Sequence, residues 1–209
     1  IFIKDPLPDN IDVKRVFSEL QFLIPDHILK LVDTVYVGDF SYFEDRKINA
    51  MFMDGALYLA NSQDNNEDMK DDVIHELAHA VEEEYGDFLY EDEEIKNEYI
   101  GKLKKLKHFL RYEGYDVRDI DFFNTEYDKK FDNFLFNGVG YKKLSALTNG
   151  LFIDPYSCVS LREYFATCFE KYFTQTKHSL LKSMCPYVYK KLSLLFNENS
   201  KDEEYEYKI

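Results

Sequence analysis

Val73-Ile74-His75-Glu76-Leu77-Ala78-His79-Ala80-Val81 is the stretch on which the reading of this chain turns. An α-helix turns once in about 3.6 residues, so side chains four apart share a face. His75 and His79 therefore converge, with Glu76 beside them. Val73, Ile74, Leu77, Ala78, Ala80 and Val81 fill the other faces, which predicts a buried helix. Buried ionisable groups need a partner, and a metal ion shared by the two imidazoles supplies one. The helix is expected to start at Asp68, or at Asp71 or Asp72 after it. It should run to about Tyr85 and stop at Gly86.

This five-residue pattern is the HExxH motif. Zinc bound to the two histidines lowers the pKa of a coordinated water towards roughly 7, and a neighbouring carboxylate, here Glu76, takes its proton as it attacks a peptide carbonyl. Such a site needs a third protein ligand and one open position. A metzincin would place a histidine soon after His79, but Glu83, Tyr85 and Gly86 stand there. The third ligand must come from farther along. The helix opening Ser160-Leu161-Arg162-Glu163-Tyr164-Phe165-Ala166 carries carboxylates among apolar residues. Periodicity alone leaves Glu163 and Glu170 both open. His27, His108 and His178 are scattered and read as surface or core residues.

Composition narrows the setting. The chain has 209 residues, 45% of them hydrophobic, enough for one globular domain. Its net charge of −14 excludes a nucleic-acid binder of the usual kind, since phosphate neutralisation needs Lys and Arg. The same charge favours basic peptide substrates or partners. Cys158, Cys168 and Cys185 form neither a CxxC pair nor a disulfide framework. They read as reduced thiols, which favours a cytoplasmic or virion-associated setting over a secreted one. No 18-residue apolar run predicts a membrane span. The chain begins at Ile1 rather than Met, which leaves secretion open.

Flanking elements follow from pattern. Residues 11–32 read as a helix, capped by Asp9 or Asn10 and broken at Pro25-Asp26. Asp33–Phe40 reads as a strand. Met51-Phe52-Met53 and Ala56-Leu57-Tyr58-Leu59-Ala60 flank Asp54-Gly55, a hairpin signal. Further helices are expected over Glu91–Tyr112, Thr125–Phe136, Ser160–Phe173 and Pro186–Phe196, with a break at Gly138–Gly140. Lys102–Lys107 reads as a solvated helix face, and residues 197–209 as an acidic, frayed tail.

Leu161-Arg162-Glu163-Tyr164-Phe165-Ala166-Thr167-Cys168-Phe169 resembles the EFFAExF segment of the anthrax lethal factor-like metallopeptidases, a group that includes the clostridial Pro-Pro endopeptidases. The resemblance runs from about residue 50 to 196 and extends to Ser183-Met184-Cys185-Pro186-Tyr187-Val188-Tyr189. It implies a zincin-like α+β fold, mostly helical, with a small mixed sheet whose edge strand lines the cleft; Gly55–Asn61 falls where that strand lies. It implies Glu163 as third zinc ligand beside His75 and His79, and a tyrosine seven residues earlier, Tyr156, as oxyanion donor. A second glutamate of the family, four residues after the ligand, is Thr167 here. The distance from His79 to Glu163 is long for the family, so residues 90–150 read as a helical insertion in one zincin-like domain. The expected activity is a zinc endopeptidase acting on a protein or peptide. The alternative is a catalytically silent binding or structural module, such as a phage particle component or toxin-associated domain.

Overall fold

The protein is described by a computed structural model over residues 1–46, 48–175 and 177–196. It is an α+β structure, mostly helical, with a small mixed sheet of four strands. Two compact units divide it, Ile1–Gly86 and Asp87–Ile209. The expected acidic tail, 197–209, lies outside the described residues. Among the described residues, no helix is long and apolar enough to cross a membrane.

The first unit holds β1 (Phe2–Ile3), α1 (Val13–Leu23), α2 (Asp26–Leu29), β2 (Thr34–Gly38), α3 (Ser41–Arg46), β3 (Ala50–Met53), β4 (Ala56–Ala60) and most of α4 (Asn66–Tyr90). Asp12 caps α1 by accepting from the Arg15 N–H at 3.0 Å, a little past the expected Asp9 or Asn10. The strand order is β1-β2-β4-β3. β1, β2 and β4 run parallel, and β3 returns antiparallel to β4. The Asp54-Gly55 signal holds: both residues take left-handed φ, 51° and 74°, as a two-residue hairpin turn requires. A side chain at Gly55 would also meet the Asp33 carboxylate at 3.1 Å.

One expectation about this sheet needs correction. Gly55–Asn61 was expected at the edge lining the cleft. β4 is instead interior, paired with β2 on one side and β3 on the other. β3 is an edge strand. The hairpin was legible locally, but the parallel partner that covers the other side of β4 comes from residues 34–38, which no short-range pattern reveals.

The second unit holds α5 (Glu94–Tyr112), α6 (Lys129–Asn133), a π-helical stretch Phe134–Gly140, α7 (Tyr141–Thr148), a 3₁₀ turn Pro155–Cys158, α8 (Leu161–Thr174), α9 (Ser179–Met184) and α10 (Pro186–Phe196). α5 buries Ile95, Tyr99, Lys102, Leu103, Leu106 and Leu110, a stripe at helical spacing, and packs on α7, α8 and α10. The Tyr99 hydroxyl donates to the Cys158 carbonyl at 3.0 Å. Cys158, Cys168 and Cys185 are buried and free.

Lys102 departs from the solvated face expected for it. It is only 8% exposed, and its Nζ donates to the carbonyls of Leu151 and Met184, both at 2.6 Å. Met184 ends α9, so the ammonium also meets the negative end of a helix dipole. Its aliphatic stem makes burial affordable where two acceptors wait. Lys102→Met should orphan both carbonyls and lower stability by about 3 kcal/mol, on the scale of lost charge-assisted hydrogen bonds. Urea unfolding measures this; a loss near zero would show that the carbonyls find other partners.

Candidate metal centre

α4 begins earlier than its acidic residues suggested. Asn65 Oδ1 accepts from the N–H groups of Glu67 and Asp68, at 2.8 and 3.0 Å, so the helix is capped at Asn65 rather than at Asp68, Asp71 or Asp72. The helix that carries the motif ends about where the sequence places its stop: Tyr85 leaves helical geometry (φ −113°, ψ 18°), and a second, short helical stretch follows to Tyr90. Upstream of Tyr85, Val73, Ile74, Leu77, Ala78, Ala80 and Val81 are all buried. The apolar faces therefore lock the rotation of α4, and with it the direction of His75 and His79.

The two imidazoles stand as one turn of helix dictates. Their ring centroids are 5.3 Å apart with planes at 84°. His79 is buried at 6% exposure; His75 is half-buried. Glu76, between them, is held by the first unit's own sheet: the Phe52 N–H donates to its Oε2 at 2.7 Å. β3 is an edge strand and Phe52 pairs opposite Leu57, so this N–H points away from β4. One carboxylate oxygen is thus fixed in place by a backbone donor.

Glu163 sits in the first turn of α8. Ser160 caps that helix, its hydroxyl accepting from the Glu163 N–H at 3.2 Å. Tyr164, next in sequence, is fully buried and its hydroxyl donates to Glu98 Oε1 at 2.7 Å. Burial pushes the Glu98 carboxyl above its usual range, with the Tyr164 hydrogen bond opposing. Cap and anchor together fix the rotation of α8 about its axis.

His75, His79 and Glu163 form a group able to bind a metal ion, with one ligand-type atom from each residue and all three atoms within 4.8 Å of one another. The donor set of two imidazoles and one carboxylate fits such an ion. Of the two glutamates that periodicity left open, Glu163 joins the group; Glu170 pairs with Lys171. Cys158, Cys168 and Cys185 take no part in it.

Tyr156 lies in the 3₁₀ turn, 39% exposed. Its N–H is capped by Asp154 Oδ1 at 2.7 Å, and its ring tilts against Phe136 at 6.4 Å. Thr167, one turn beyond Glu163, is buried at 4% exposure.

One residue escaped the sequence reading. Glu82 Oε2 lies 3.7 Å from His79 Nδ1, and its side chain is 15% exposed. The signal was present: 75, 79 and 82 are spaced i, i+4, i+7, one stripe of a helix. It was hidden inside the run Glu82-Glu83-Glu84, of which Glu83 and Glu84 are exposed.

Comparison of the chain with protein-family models, with curated proteins and with solved structures finds no match.

Proposed function

We propose that the chain is a zinc-dependent endopeptidase with a zincin-like domain of the lethal factor-like kind. The observation that carries this reading is the grouping of His75, His79 and Glu163, with the Glu76 carboxylate fixed on the same helix by the Phe52 N–H. Two neutral imidazoles and one carboxylate are a donor set that zinc takes, leaving one position open. Bound zinc would supply Lewis acidity, polarising a peptide carbonyl and making water more acidic. Glu76 Oε1, the oxygen not engaged by Phe52, would accept a proton from the attacking water and pass it to the leaving amine. The Tyr156 hydroxyl would donate to the developing oxyanion.

The test is digestion of a peptide library by zinc-loaded protein, with Glu76→Gln beside it. The library needs lysine- and arginine-rich arms and acidic arms, because a charge of −14 favours basic substrates. Wild type should cleave, basic arms first, and the variant should not. Equal and negligible cleavage by both would defeat the peptidase reading and leave a metal that serves structure or binding.

A further inference from the structure

We infer that Glu82 is a positioning residue for the metal site, holding the imidazole of His79 through Nδ1 so that Nε2 faces the metal. The inference rests on the metal reading above and deepens it.

The two nitrogens of an imidazole lie on different edges of the ring, and which one meets a metal is set by what the other one meets. Glu82 comes from the same helix, three residues on from His79, and its carboxylate faces Nδ1 at 3.7 Å. That separation is longer than a direct hydrogen bond, and a small side-chain movement would close it. Both side chains are withdrawn from water, at 8% and 15% exposure. A carboxylate this sheltered, on the metal-facing stripe of α4, is placed differently from its exposed neighbours Glu83 and Glu84.

Ligating histidines almost always donate their second ring N–H to a carboxylate, a carbonyl or water. That partner fixes the tautomer and ring orientation and raises the basicity of the ligand nitrogen. Glu82 Oε2, 3.7 Å from Nδ1, is placed to become such a partner from within the helix that carries the histidine. The position is also protected from slippage. Two intervening residues, Ala80 and Val81, are buried, so the turn joining His79 to Glu82 is fixed by packing.

Two readouts test this without any substrate. The first is zinc affinity of the full chain, measured by competition with a chromogenic chelator. Glu82→Gln should bind zinc about 10–100-fold more weakly than wild type, the range for loss of an outer partner. Glu82→Asp should recover part of the loss, and Glu83→Gln should match wild type. The second is the ¹⁵N spectrum of histidine-labelled wild type with zinc. It should show His79 protonated at Nδ1 and metal-bound at Nε2. Affinity of Glu82→Gln within twofold of wild type overturns the inference, as does ligation of His79 through Nδ1. Because the spectrum uses wild type alone, it decides even if a variant fails to fold. A wild-type chain that binds no zinc overturns the metal reading itself, and this inference with it. Normal zinc binding with an unaffected Glu82→Gln overturns only the inference.

Discussion

Glu76→Gln is expected to lower kcat/KM for peptide hydrolysis by about 10²–10⁴-fold, the usual contribution of a positioned general base. This corresponds to roughly 3–5 kcal/mol of transition-state stabilisation. Zinc affinity should stay within about threefold of wild type, because Glu76 is not in the ligand group. Glutamine suits the comparison: its amide oxygen can still accept from the Phe52 N–H, which now holds the carboxylate at 2.7 Å. The local geometry survives and only the basic oxygen is lost. Steady-state kinetics on any peptide the wild type cleaves measures the effect. If Glu76→Gln keeps a third or more of wild-type activity, Glu76 is not the base.

His79→Ala should abolish the stabilisation of the chain by zinc. An ion that binds only the folded state adds RT ln(1 + [L]/Kd), about 4 kcal/mol when its concentration is a thousandfold above Kd. For a chain of this length, each kcal/mol moves Tm by roughly 2–4 °C. Wild type should therefore melt about 8–16 °C higher with zinc than after chelation, and His79→Ala should melt alike in both. The comparison is between plus and minus zinc for each protein. Removing a ring that is only 6% exposed has its own packing cost, and that cost cancels. A zinc-dependent shift that persists in His79→Ala would place the metal elsewhere.

These two experiments probe the part of the molecule that short-range pattern read best. The His75–Glu76–His79 grouping follows from helical spacing alone, and the burial of His79 follows from the apolar residues around it. The Asp54-Gly55 turn was legible because those two residue types tolerate the left-handed φ it requires. α5, α8 and α10 were legible from periodicity. Glu163 lay in a helix that periodicity found and that was the best source of a third ligand, but choosing it over Glu170 needed the family resemblance, because residues so far apart in sequence share no local pattern.

What escaped was decided by partners distant in sequence or by single side chains. β1 is two residues long, too short for any alternation to register. β4 lies inside the sheet because residues 34–38 pair with it. The π-helical stretch Phe134–Gly140 carries helix through a pair of glycines that read as a break, and only Gly140, at φ 86°, departs to start α7. Lys102 sits among lysines but turns inward, because two carbonyls more than forty residues away in sequence receive it. Glu82 was masked by the two exposed glutamates after it.

The most direct test of the central claim is X-ray absorption at the zinc edge of the purified, zinc-loaded chain. One zinc per chain is predicted, with only nitrogen and oxygen neighbours at about 2.0–2.1 Å and multiple scattering from two imidazoles. The same spectrum on Glu163→Ala should lose an oxygen neighbour or the metal altogether. A sulfur neighbour near 2.3 Å, or a spectrum unchanged by Glu163→Ala, would contradict a metal centre built from His75, His79 and Glu163.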